Sequence, residues 1–176
     1  MERHSFLKKL EFSHGANAED DKAKIKCALG AACIGVEKTD VETDKTGIDY
    51  IATLKKGATI YIDAKRRESG ASRWWKHGCP ELAIETWSVY NKKFGWTFNQ
   101  SSNVDYILYT FNPLDSDRYY FIPFQLLRKV SFDNGMKWMK LYGEKKQPNY
   151  GWESRAIFVP ADVLIEAISK EMSKAV

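Results

Sequence analysis

The chain has 176 residues, 44% of them hydrophobic and 28% charged, which is the make-up of an ordinary soluble globular domain and enough for one core. That balance argues against disordered, collagen-like and coiled-coil architectures, and no apolar run approaches the ~18 residues that span a bilayer. The net charge of +4 is small but uneven: from Lys55 to Lys76, seven basic residues stand against Asp63 and Glu68, a local excess of +5 that a polyanion would feel.

In chain order, residues Ala16 to Ile34 read as a helix, with Asn17 as N-cap and Glu19, Asp20 and Asp21 in the first turn, and with Ile25, Leu29, Ala32 and Cys33 as its buried stripe. Glu37 to Thr46 is polar and reads as a connection with a short strand at most. Ile48 to Leu54 and Thr59 to Lys65 alternate as strands around the turn Lys55-Lys56-Gly57, so they are expected to form a hairpin. Glu68 to Pro80 is a loop rich in Gly, Ser and basic residues, with Trp74 and Trp75 in its middle. Leu82 to Tyr90 is expected as a third strand, with a helix as the alternative. Val104 to Phe111 and Tyr119 to Phe124 follow as strands around an Asn112-Pro113 turn, the second at an edge because Pro123 cannot donate to a ladder. Gln125 to Val130 begins a short helix. Pro160 opens an amphipathic C-terminal helix with Val163, Leu164, Ala167, Ile168 and Met172 on one face. No repeat or linker interrupts the pattern, and the expectation is a single α/β domain with a central mixed sheet flanked by helices.

The informative chemistry lies in the hairpin. Asp49 sits inside an apolar strand, and Asp63-Ala64-Lys65 ends the next one. Alternation along a strand points Asp63 and Lys65 the same way. A carboxylate among apolar neighbours is costly unless paired or bound to a cation. Two carboxylates on adjacent strands suit one hard divalent ion such as Mg²⁺, which takes one or two protein carboxylates and completes its octahedron with water and phosphate oxygens. A lysine beside it would orient or help deprotonate an attacking water and offset charge building on a phosphate. The bland alternative is a pair of strand-end carboxylates, one of them salt-bridged to Lys65.

Gly47-Ile48-Asp49 followed by Tyr61-Ile62-Asp63-Ala64-Lys65 resembles the core signature of the PD-(D/E)xK nuclease superfamily, the group of restriction-endonuclease-like and Holliday-junction-resolvase-like folds. The likeness covers about residues 16–130, with an acidic helix before the first strand and further strands after the triplet. Ile48 stands where the family usually has Pro. The resemblance implies Asp49, Asp63 and the Ala64 carbonyl as ligands of Mg²⁺ (or Mn²⁺), and Lys65 as the catalytic lysine. It also implies a further acidic group, for which Glu85 is the first candidate and Glu19 or Asp20 the second. If the Leu82–Tyr90 strand lies beside the Asp63 strand, Glu85 joins the site only by pointing to the same side as Asp63 and Lys65.

The expected activity is metal-dependent hydrolysis of DNA phosphodiesters, endo- or exonucleolytic, on duplex or branched substrates, by a monomer or a homodimer. Lys55, Lys56, Arg66, Arg67, Arg73 and Lys76 are the expected backbone contacts, since Arg and Lys hold phosphates and an interleaved Trp stacks on unpaired bases. The alternatives are a catalytically silent nuclease-fold module that binds DNA or protein, and an unrelated α/β protein with an accidental triplet. His77-Gly78-Cys79 lacks a second pair at zinc-finger spacing. Cys27, Cys33 and Cys79 cannot all pair and suggest reduced thiols. With no apolar core for a secretory signal near Met1, a cytoplasmic protein is expected, of a size that fits a phage, a mobile element or a stand-alone cellular nuclease.

Overall fold

Helix α1 (Ala18–Leu29) begins as its acidic first turn suggests, but it stops five residues before the expected end. Gly30, with φ at 60°, breaks it, and after a single 3-10 turn the chain is already extended as strand β1 (Cys33–Lys38). The computed structural model describes residues 17–44, 46–67, 79–99, 101–111, 118–149 and 151–174. A one-turn helix, α2 (Val41–Asp44), occupies the polar connection. The hairpin follows as β2 (Tyr50–Leu54) and β3 (Thr59–Arg67). Its turn needs left-handed backbone at both Lys56 and Gly57 (φ 77° and 80°), which glycine supplies freely and lysine does not.

Strand β4 (Glu81–Val89) is the expected third strand, and a two-residue β5 (Lys93–Phe94) turns back on it. β6 (Tyr106–Phe111) and β7 (Tyr119–Pro123) come next. The short helix expected from Gln125 is in fact a long one, α3 (Phe124–Tyr142). Two strands unforeseen in the sequence, β8 (Glu144–Pro148) and β9 (Glu153–Pro160), precede the C-terminal helix α4 (Ala161–Met172).

These strands form two sheets. One is mixed, in the order β1-β2-β3-β6-β7, with β3 and β6 parallel and the other neighbours antiparallel. The other is antiparallel, in the order β5-β4-β9-β8. The expected α/β class with a central mixed sheet is therefore present, and the pairing corrects one expectation. β4 does not lie beside the Asp63 strand, whose neighbours are β2 and β6. It pairs with β9, a segment whose partner is about seventy residues away in sequence, so no local pattern announces it.

The mixed sheet is buried on both faces. On one, Ile25 of α1 packs with Val36, Tyr50, Ala52, Ile62 and Leu108. On the other, Ile107, Tyr109, Phe111 and Ile122 join Leu82, Ile84, Ile157 and Val159 of the second sheet, together with residues of α3 and α4. The larger core thus extends beyond residue 130 and includes β9 and α4. Among the described residues no helix is long and apolar enough to cross a membrane.

Candidate active site

The hairpin register pairs Tyr50 with Ile62 and Ile51 with Tyr61, so one further step sets Asp49 across from Asp63. The Asp49 N–H donates to the Ile62 carbonyl at 2.9 Å and holds that step in place. The Asp49 carboxylate then accepts from the Ala64 N–H through Oδ2 at 2.6 Å. Lys65 Nζ donates to Asp63 Oδ1 at 2.6 Å. Asp49 and Asp63 sit close enough for the charge of Asp63 to act on Asp49. Three ionisable groups thus gather where β2 begins beside the middle of β3.

Their electrostatics follow from burial. Asp63 is only 4% exposed, whereas Asp49 is half-buried and Lys65 reaches an open cleft. Burial, and then repulsion from Asp63, lift Asp49 above the usual carboxylate range. Burial alone would push Lys65 down. The attraction of Asp63, and behind it Asp49 and Glu85, outweighs that and raises it. Its ammonium therefore stays charged at neutral pH, which suits an electrostatic donor and not a proton acceptor.

The pleat sorts the basic run that follows. Asp63, Lys65 and Arg67 lie on one face of β3, while Ala64 and Arg66 lie on the other. Arg66 is taken up by α1: its guanidinium donates to Asp21 Oδ1 at 2.5 Å and to Asp20 Oδ2 at 3.2 Å. Asp21 also accepts from the Tyr50 hydroxyl at 3.0 Å, and Lys24 is bonded to Asp20. Burial raises Asp21, with Arg66 and the Tyr50 hydroxyl opposing the rise. Glu19, with an 84% exposed side chain, pairs with Lys22 at the surface. Of the acidic residues of α1, then, Asp20 and Asp21 face the strand that carries Lys65, but from behind it.

Glu85 comes from the second sheet. Its Oε2 accepts from Ser88 Oγ at 2.7 Å and from the Trp96 N–H at 3.0 Å. It shares with Lys65 a cleft of about 440 Å³, also lined by Arg67, Trp96, Tyr109 and Gln147. The Trp96 ring centre is 5.3 Å from Lys65 Nζ. Gly95 makes this approach feasible: a Cβ there would fall 2.1 Å from the Glu85 carbonyl oxygen. Glu85 thus reaches the lysine side of the site, and among the described residues no three His, Cys, Asp or Glu side chains gather as one ligand set.

The donor set suits a hard cation nonetheless. Two neighbouring carboxylates, one raised above its ordinary pKa by burial and then by the other's charge, together with a backbone carbonyl, match the sparse protein ligation of Mg²⁺, which retains several waters. Lys55 and Lys56 are exposed at the hairpin tip. Arg73 and Lys76, with Trp74, Trp75 and His77, lie outside the described residues. Asp105 is a structural tie, its Oδ2 accepting from the Tyr61 N–H at 2.8 Å. Sequence reading passed over Tyr109 and Gln147, and took Asp21 only as a first-turn acid of its helix. Only the Gly95-Trp96 pair carried a local signal, as a turn.

A second, larger groove of about 1500 Å³ between β4, β5, α3 and α4 has Phe94, Phe98 and Phe132 in its lining, and it shares no residue with the cleft. Comparison of the chain with protein-family models, with curated proteins and with solved structures found no match in any of the three.

Proposed function

We propose that the chain is a metal-dependent deoxyribonuclease built on a restriction-endonuclease-like core of the PD-(D/E)xK kind. The observation that carries this reading is the gathering of Asp49, Asp63 and Lys65 on one hairpin, with the two carboxylates opposite each other in the register and the ammonium bonded to one of them. Asp49, Asp63 and the Ala64 carbonyl would hold Mg²⁺ or Mn²⁺, which when bound polarises a phosphodiester and lowers the pKa of water. Lys65, kept charged by its carboxylate neighbours, offers a proton-bearing cation to the phosphate oxygens as negative charge grows on them. The Ala64 N–H fixes the orientation of the Asp49 carboxylate, so the ligand is aimed before any ion arrives. The antiparallel hairpin gives both carboxylates a rigid mount, which loops would not.

The test is cleavage of linear duplex, branched and single-stranded DNA, with and without Mg²⁺ or Mn²⁺. The reading requires strand scission that depends on the divalent ion. Inertness on all three substrates with either ion would leave a silent binding module on the same scaffold.

A further inference from the structure

The cleft beside Lys65 contains an arginine with an unmet donor. Arg67 follows Lys65 by two residues on the same face of β3, about 7 Å farther along the strand. Its guanidinium carbon lies 4.3 Å from the centre of the Phe158 ring of the second sheet. Its Nε is buried and has no hydrogen-bond partner among the described residues. A charged group with a donor left unpaired is expensive, and because Arg67 lines the cleft its guanidinium can turn to an acceptor that enters there. The neighbouring cations are already matched. Lys65 is bonded to Asp63, and Arg66 to Asp20 and Asp21.

The cleft's other walls say what kind of acceptor fits. Glu85 is turned into the wall by Ser88 and the Trp96 N–H. The Tyr109 hydroxyl is spent on both backbone groups of Ala83, at 2.8 and 3.1 Å, and the residue is buried, so it closes the cleft without offering a free polar oxygen. Trp96 supplies an aromatic wall, and Gln147 brings an amide with both donor and acceptor. At about 440 Å³ the space is that of a pocket for one small molecule.

Resting on the nuclease reading above, we propose that this cleft is a one-nucleotide subsite. The nucleotide next to the scissile bond enters it unpaired, its phosphate on Arg67 and its base against the Trp96 ring, with Gln147 at the base edge. The substrate class is accordingly a strand that offers an unpaired nucleotide, single-stranded or frayed at an end, and not the interior of an intact duplex.

The probe is deoxyadenosine 5′-monophosphate, titrated calorimetrically against the full chain without divalent metal. Saturable binding is expected, weakened about tenfold to a hundredfold in Arg67→Gln, as loss of a charged hydrogen bond implies, and retained in Asp63→Asn. Absence of saturable binding, or equal affinity in Arg67→Gln, overturns the subsite even if the chain cleaves DNA. Binding without cleavage of any DNA keeps the subsite and removes the nuclease reading. Inorganic phosphate binding as tightly as the nucleotide would overturn the aromatic half of the proposal. If Arg67→Gln does not fold, Arg67→Lys takes its place: it keeps the charge and loses Nε, so at least threefold weaker binding is expected and unchanged affinity counts against the subsite.

Discussion

Replacing Asp63 by Asn removes one of two carboxylates that repel each other and leaves an amide oxygen able to accept from Lys65. The two consequences for stability oppose one another, so melting should stay within a few degrees of the wild type. Cation-dependent cleavage should fall by about a thousandfold, corresponding to about 4 kcal/mol of lost charge stabilisation. Wild-type cleavage by Asp63→Asn would end the assignment. Glu85 stands differently. It touches no cation in the described contacts, and it accepts one hydrogen bond from Ser88 of its own strand and one from the Trp96 N–H of the following turn. On the proposed nuclease reading it is a positioning residue on the lysine side, so its loss should be felt through Trp96 and Lys65 and not through metal affinity.

At the level of elements, α1 is fastened to the mixed sheet by the Asp21–Arg66–Tyr50 bonds as well as by Ile25. Breaking a buried ion pair from one side strands the other charge. Since Arg66 keeps Asp20, Asp21→Ala should cost about 2–3 kcal/mol, below the range for a fully stranded partner. Urea denaturation with an unchanged midpoint would show the clamp to be unimportant. The turn that follows β5 is equally constrained. Gly95→Ala must push the turn away from the Glu85 carbonyl, at about 1–3 kcal/mol, and a thermal melt equal to wild type would contradict that.

The hairpin, with both candidate ligands, was legible because alternation and a Gly-containing turn are local signals. So was α4, whose Leu164 and Ile168 are buried as its periodicity requires. β8 escaped notice because Glu-Lys-Lys-Gln-Pro is a polar edge with no alternation to read. The partition of strands between two sheets escaped for a deeper reason: β4 finds β9 through long-range packing that no window of residues contains. The same limit hid the difference between Arg66 and Arg67. Pleating separates their faces, but only the position of α1 tells which face is occupied by carboxylates.

For the molecule as a whole, the two cores on either side of the mixed sheet each enclose a tyrosine, Tyr50 on the α1 side and Tyr109 on the other. Burial raises both phenols, with Asp21 adding to the rise at Tyr50. A group whose folded pKa exceeds its unfolded value gives stability that is complete below the unfolded pKa and is lost above it. Stability should therefore hold up to about pH 10, the ordinary tyrosine value, and decline beyond it as both sides of the sheet are driven to ionise. Thermal melts that stay level well into the alkaline range would refute this.

The ammonium of Lys65 resting 5.3 Å from the Trp96 ring centre makes the cleft optically self-reporting. Indole emission responds to a nearby charge, and this charge is tethered to Asp63, the carboxylate for which any arriving cation must compete. Mg²⁺ added to the protein alone should pull Asp63 away from Lys65, displace the ammonium over the ring and change the fluorescence, with no DNA present. Six tryptophans contribute to the spectrum, so the signal is the difference between wild type and Trp96→Phe. A Mg²⁺ response identical in the two proteins would mean that the cation leaves the lysine undisturbed.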